Sequence, residues 1–299
     1  MKHTIRLVLG AGLSLCLFHP VAEAAKPEVP LRIGSYNLRR SGIKEKNPQN
    51  SWAAREDRVA LSFVQCNFDL CGLQEVDVEQ QESLAGRLAG KNYAFSYNNP
   101  YNGNDPSGNK AHGVMWRKDR LKLVGRVHRF WISEPFDKKQ VNDGKHIRGG
   151  LCATFKDRKT GRKLFIIVSH APLKKEMRAK NAHVYIDVEK AFNPKGLPSF
   201  FVGDLNARED DKSSEVYRTW WTDSYLYFDA KPELRTGLSA TFNGWRTDKD
   251  PDPLRRIDYI YFRGNGITPL RYHCDTTRYE GFYPSDHFPI WADFTISRK

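Results

Sequence analysis

Residues 31–37 (Leu-Arg-Ile-Gly-Ser-Tyr-Asn) alternate and are rich in strand formers, which predicts a first strand. Residues 52–66 carry Val59, Ala60, Phe63 and Val64 on one helical face, with Ser51 placed as a cap. Residues 68–73 form an apolar run that delivers Gln74 and Glu75. A stretch of Asn, Pro, Gly, Asp and Ser over 98–110 predicts a loop. Strand patterns follow at 113–116, 121–131, 151–155 and 164–169. A helical pattern then covers 173–192, with Val184, Val188, Ala191 and Phe192 as its buried stripe. Further strands are predicted at 199–202, ending at Asp204, and at 256–262 and 288–294. Many strands with a few interspersed helices imply sheets covered by helices, in an α+β or mixed α/β arrangement. No repeat, low-complexity tract or Pro-rich linker divides the chain after residue 25.

Polar residues fall repeatedly where these strands end: Asn37, Glu75, His170, Asp204, Asp258 and Asp286. A site assembled from several strand ends is rigid. Strand alternation would aim Asp204 and Asn206 at one ligand, since residues two apart share a face. Ser285-Asp286-His287 sets a carboxylate beside an imidazole just before the last strand. Together they offer hard metal ligands and a proton-transfer group, the two needs of phosphate-ester hydrolysis.

Composition changes the picture in three places. Lys2, His3 and Arg6, the apolar run 7–18 and the small residues around Ala22-Glu23-Ala24 read as a secretory signal over 1–24. That leaves residues 25–299 as one exported domain, secreted or periplasmic, with no run long enough to span a membrane. In an exported chain Cys66, Cys71, Cys152 and Cys274 permit two disulfides, in any of three connectivities, against four buried thiols. Their spacing does not resemble a zinc site. The formal charge is +13, and residues 117–180 hold 19 Lys or Arg against 6 Asp or Glu, so the middle of the chain carries the whole excess. A polyanionic partner is the functional reading, and a merely soluble charged surface the alternative.

Ser-Tyr-Asn-Leu-Arg at 35–39, Leu-Gln-Glu-Val at 73–76, Val-Ser-His-Ala-Pro at 168–172, Gly-Asp-Leu-Asn-Ala at 203–207, Arg-Ile-Asp-Tyr-Ile at 256–260 and Ser-Asp-His-Phe-Pro-Ile at 285–290 occur in this order. The set resembles the endonuclease/exonuclease/phosphatase superfamily, the DNase I-like group, over 31–296. The segments 130–135 and 241–245 look like a bacterial exported branch of it. Many members have Thr-His-Leu where this chain has Ser-His-Ala-Pro, and most bacterial relatives have Phe in place of Leu205. Neither departure removes a functional group.

The resemblance implies a four-layer α/β sandwich, two packed mixed β-sheets flanked by helices, with the site at one edge. It implies Glu75 as the principal ligand of Mg²⁺ (or Mn²⁺ or Ca²⁺), helped by Asn37, with Asp286 as a second acidic residue of the metal region. Asn37 would also orient a phosphate oxygen. His287 would be the general base, oriented by Asp258. His170 would donate to the phosphate or the leaving oxygen, and Asp204 with Asn206 would position water and phosphoryl oxygens. Arg148 falls where the family grips phosphate.

The functions that follow are an exported Mg²⁺-dependent nuclease of low sequence specificity, or a phosphatase or phosphodiesterase acting on lipid headgroups or nucleotides. A non-catalytic module on the same fold is the third reading, and fold alone does not separate them. For a lipid substrate Trp220-Trp221 is the aromatic candidate, with core packing as its alternative. No protein partner is implied, and the expected state is a monomer.

Overall fold

A computed structural model describes residues 29–98, 111–133, 136 and 148–297. The expected signal segment and the 98–110 loop beyond its first residue lie outside them. In chain order the elements are β1 (Leu31–Asn37), α1 (Trp52–Cys66), β2 (Leu70–Val76), α2 (Val78–Arg87), β3 (Tyr93–Asn98), β4 (Ala111–Arg117), β5 (Leu121–Trp131), β6 (Gly149–Asp157) and β7 (Lys163–His170). They continue with α3 (Lys175–Phe192), β8 (Ser199–Asp204), α4 (Lys212–Arg218), β9 (Thr222–Asp223), β10 (Arg235–Thr236), β11 (Asp258–Arg263), β12 (Ile267–Cys274) and β13 (Ile290–Ile296). Among the described residues one sheet has seven strands in the order β10-β12-β13-β1-β2-β4-β3, and the other six in the order β5-β6-β7-β8-β11-β9.

The sheets pack face to face through alternate residues of each strand. Ile33, Leu70 and Val114 of the first meet Leu151, Val168, Val202 and Ile260 of the second in one core. The other alternates face outward and are covered. Tyr36, Leu73 and Met115 pack with Val59 and Phe63 of α1 and Leu84 of α2. Phe165, Ile167, Phe201 and Tyr261 pack with Val184, Tyr185 and Val188 of α3 and Tyr217 of α4. This makes the helix–sheet–sheet–helix layering expected, with large aromatic and aliphatic side chains contributing about 1.5–3 kcal/mol each on full burial. The sheets approach closely at Gly72, where a Cβ would sit 2.4 Å from a Val202 methyl carbon.

Several local expectations shift. In α1, Val59, Ala60 and Phe63 are buried but Val64 faces solvent. Ser51 sits at the N-cap, yet its hydroxyl donates to the Pro48 carbonyl and not to the helix. In α3, Ala191 is exposed, and the buried stripe runs through Ala182, Val184, Tyr185 and Val188. Trp221 is buried and Trp220 half-buried against the α3–α4 core, so the pair is packing and no exposed hairpin. Cys66, Cys71, Cys152 and Cys274 are buried free thiols. Cys152 and Cys274 belong to strands of different sheets, and the Cys66 thiol donates to Asp275 Oδ2 at 3.2 Å.

Candidate active site

The rows of core residues turn polar at one end of the sandwich. Two residues beyond Val168, Val202 and Ile260 along the inter-sheet face stand His170, Asp204 and Asp258. Register aligns them, with His170 opposite Asp204 and Asp204 opposite Asp258. On the facing sheet the row Ile33–Ser35 ends in Asn37, which pairs with Gln74 of β2. Antiparallel pairing of Ser35 with Ile290 brings the chain just before β13, Asp286 and His287, to the same end.

Asp204 Oδ2 is the hub of the cluster. Asn37 Nδ2 donates to it at 2.9 Å, His170 Nε2 lies 3.3 Å away and His287 Nε2 3.7 Å away. His287 Nδ1 donates to Asp258 Oδ2 at 2.9 Å. The same Asp258 oxygen accepts the Thr241 hydroxyl at 2.6 Å, while Thr241 Oγ1 accepts the backbone N–H of Ile257 and Asp258, each at 3.0 Å. Asn243, in the same turn, donates to the Ser285 carbonyl at 3.0 Å, and its backbone N–H and that of Gly244 donate to the Asp286 carbonyl at 2.9 and 3.1 Å. The 241–245 turn therefore clamps both partners of the His–Asp pair.

Asn206 reaches the site by a different route from that expected. The strand stops at Asp204, and Asn206 adopts a left-handed backbone with φ of 51°. Its N–H donates to Asp204 Oδ1 at 3.0 Å and its Nδ2 to the Ala171 carbonyl at 3.0 Å. The tight turn, not strand alternation, sets its side chain beside Asp204, and its Oδ1 is left to turn toward a ligand.

Glu75 also has positive φ, 53°, in an irregularity where the β2–β4 register slips between Leu73 and Val76. The kink turns its carboxylate toward His170 Nδ1, 4.0 Å away. Asp286 Oδ2 lies 3.5 Å from Arg39 Nη1. Asn37 Oδ1 accepts the Arg39 N–H at 2.9 Å, so the amide ties the loop after β1 to Asp204. Arg148 stands one residue before β6 at this end of the sheet and is buried.

Burial and charge shift the titration of the cluster. Burial raises the Asp204 pKa, and the Asp258 charge adds to it; His287 and the hydrogen bonds from Asn206 and Asn37 oppose, leaving it at about 7. Burial would lower His287, but Asp258, Asp204 and Asp286 reverse this and raise it to about 10. Asp286 is raised by burial and by the Glu75 charge, against His287, Arg39 and Arg55. Two carboxylates that repel one another beside a buried cluster suit a hard divalent cation with oxygen ligands, so Glu75 and Asp286 fit the group the family implies. Ligand atoms of Asp204, Asp258 and His287 also lie within 4.8 Å of one another, and Asp258 Oδ1 is buried without a partner.

Four contributors carry no clear signal in the sequence pattern. Thr241 and Asn243 sat in a segment recognised only as a branch marker. Arg55 is buried at 1% exposure and donates to the carbonyls of Leu38 and Pro284 at 2.7 and 3.0 Å, tying the loop after Asn37 to the one before Asp286. An arginine on the apolar face of α1 was its available signal. His112 of β4 is buried with Nε2 unpartnered, and burial followed by the Arg148 charge lowers its pKa to about 3.

The family model described as Endonuclease/Exonuclease/phosphatase family matches residues 34–287. A comparison of the sequence with curated proteins finds no match. Among solved structures, an endonuclease/exonuclease/phosphatase family protein of Bacteroides thetaiotaomicron superposes with a TM-score of 0.79 at 24% identity, covering 91% of this chain and 100% of that one. A mannosyl-6-phosphatase of the same organism gives 0.75 at 24% identity, covering 88% and 99%. D. rerio TDP2 complexed with a single-strand DNA product gives 0.63 at 20% identity, covering 89% and 98%.

Proposed function

The chain belongs to the endonuclease/exonuclease/phosphatase family, and on that premise we propose that it is an exported, Mg²⁺-dependent phosphodiester hydrolase with nucleic acid as its substrate class and little sequence preference. The observation that carries the chemistry is the His287–Asp258 pair, 2.9 Å apart, abutting Asp204 and His170 at the mouth of the sandwich. Such an array suits attack of water on phosphorus.

We read the roles differently from the resemblance, with the electrostatics as support. A histidine raised to about 10 holds its proton at neutral pH. As an imidazolium, His287 binds a phosphoryl oxygen through Nε2. Asp204, held above the usual carboxylate range by burial and the Asp258 charge, is suited to accept the proton of the attacking water. Asn206 orients that water through Oδ1. His170 faces the leaving oxygen, and Arg148 supplies a guanidinium for the phosphate. A divalent ion on Glu75 and Asp286, with Asn37 beside it, would neutralise developing charge on the phosphoryl oxygens.

One observation favours the second reading, a phosphatase or phosphodiesterase for a smaller phosphorylated molecule. Much of the basic middle segment, from Lys118 to Lys122 and Lys156 to Lys163, sits at the opposite end of the strands from His170. It adds little charge to the cleft. The mannosyl-6-phosphatase and DNA-bound neighbours keep both substrate classes in view.

The test is a panel in Mg²⁺ and then EDTA: plasmid DNA, RNA, hexose 6-phosphates, sphingomyelin, phosphoinositides and bis(p-nitrophenyl) phosphate. Plasmid nicking that fades steeply with salt supports the nuclease. Turnover of a sugar phosphate or lipid with intact plasmid replaces it by the second reading. Asp204→Asn and His287→Gln should each lower turnover by roughly 10²–10⁴-fold on whichever substrate responds.

A further inference from the structure

Lys122, Lys156 and Lys163 form a cationic ladder across three adjacent strands. Lys122 of β5 is the register partner of Lys156 of β6, and Lys156 is the partner of Lys163 of β7. Directly opposed residues share a face with their Cβ atoms about 4.5–5.5 Å apart, and like charges there destabilise the sheet. All three are exposed, and none has a carboxylate partner among the described residues. Lys118, Arg158 and Lys159, in the adjoining turns, are exposed as well. The neighbouring Arg120 adds no free charge, because it is paired with Asp157 at 2.9 Å. A sheet that accepts this repulsion in its folded state presents a surface that gains from a diffuse anionic partner.

The position of the ladder and its chemistry identify the kind of partner. The ladder lies at the opposite pole from the cleft: β7 begins at Lys163 and ends at His170, seven residue steps or about 23 Å apart. A polyanion held in the cleft is turned away from it. Both ends of the described chain leave the fold at this pole, since β1 begins and β13 ends there with Leu31 opposite Phe294. Arg120, at the foot of β5, donates to the Pro30 carbonyl at 2.7 Å and the Val29 carbonyl at 3.1 Å. The ladder itself is lysine alone, and lysines are compact point charges without the planar fork that reads a single phosphate. They suit a smeared surface charge.

We propose that this pole docks on a bilayer containing anionic lipid, with the catalytic cleft facing away into solution. Each lysine held near such a surface contributes roughly a fivefold gain in partition, so three give roughly a hundredfold. The attraction disappears within a Debye length of about 8 Å at physiological salt, which makes the docking salt-sensitive.

The test compares the full chain with its Lys122→Gln/Lys156→Gln/Lys163→Gln variant in co-sedimentation with phosphatidylcholine vesicles, with and without phosphatidylglycerol. The two proteins are identical outside the three lysine positions, so any difference between them belongs to the ladder. The expected result is a partition onto phosphatidylglycerol vesicles that is roughly a hundredfold stronger for the unaltered protein and is lost in high salt. Hydrolysis of bis(p-nitrophenyl) phosphate in solution should be equal for the two proteins, and that assay reports on the catalytic reading separately. The variant should melt no lower than the parent, because a like-charge row has been removed. Equal partition of the two proteins, or no preference of the parent for anionic over neutral vesicles, overturns the proposal. So does lysine-dependent binding that goes to duplex DNA in preference to vesicles.

Discussion

A single oxygen, Asp204 Oδ2, receives an amide donor from Asn37 and faces two imidazoles. Its neighbour Asp258 depends in turn on one hydroxyl, Thr241. Replacing Thr241 by Val removes the donor to Asp258 and the acceptor for two backbone N–H groups. We expect turnover to fall roughly tenfold to a hundredfold, with Thr241→Ser retaining most of it, in steady-state assays on any responding substrate. Equal damage by Val and Ser would argue against the hydroxyl's role. His287 also leaves a mark on stability. Its folded pKa is raised from 6.5 to about 10, so its contribution is complete below about pH 6.5 and is lost as pH climbs through about 10. Urea denaturation in the presence of chelator should show stability falling over that window, and His287→Gln should flatten the slope. Asn37, Glu75, His170, Asp204, Asp258 and Asp286 were visible in the sequence at the ends of strand patterns, and they and His287 through the family motifs that contain them. Thr241 was not, because a hydroxyl in a turn carries no periodic signal. Asn206 reaches Asp204 as expected but through a left-handed turn, which interrupts the alternation that the expectation relies on.

At the level of the elements, the strands that place the site were legible wherever apolar runs were long. Residues 31–37 and 199–204 form β1 and β8 nearly as expected. α2 was missed because Gln80 and Leu84 are its buried residues, too few for a stripe. Its one signal was local: Asp77 and Gln80 form a reciprocal capping box. α4 was missed for the same reason, since its buried residues are Ser213, Ser214 and Tyr217. The close pairing of β7 with β8 rests on Gly203, where a Cβ would lie 2.0 Å from the Ser169 carbonyl oxygen. Gly203→Ala should therefore push apart the two strands that carry His170 and Asp204. We expect a loss of roughly 3 kcal/mol in chemical denaturation, with turnover falling further than stability alone would explain. An alanine variant as stable and active as the parent would show that the strands part without cost.

For the whole molecule, the layering follows from two alternating faces on every central strand, both buried. That much was foreshadowed by nearly continuous apolar runs such as Phe200-Phe201-Val202, and the pairing order of thirteen strands in two sheets was not. Long-range register leaves no local trace in sequence. The cysteines show the same limit: the even number after residue 24 left bridges open, while the fold sets Cys66, Cys71, Cys152 and Cys274 as separate buried thiols. A divalent ion that binds only the folded cleft must stabilise the entire unit by mass action. Adding Mg²⁺ at about a hundred times its Kd should raise stability by about 2.7 kcal/mol, and EDTA should reverse it. Glu75→Gln should lose most of that increment; an undiminished increment would place the ion elsewhere.

Leu31 and Phe294 face each other across one rung of a ladder, so the first and last strands finish side by side. A short peptide could splice residue 297 to residue 29 and turn the backbone into a closed ring, since partners on adjacent antiparallel strands lie about 5 Å apart. New ends opened in the Arg158–Gly161 turn would then yield a circular permutant whose catalytic mouth is untouched, because every cut and join lies on the far side of the barrier formed by the packed sheets.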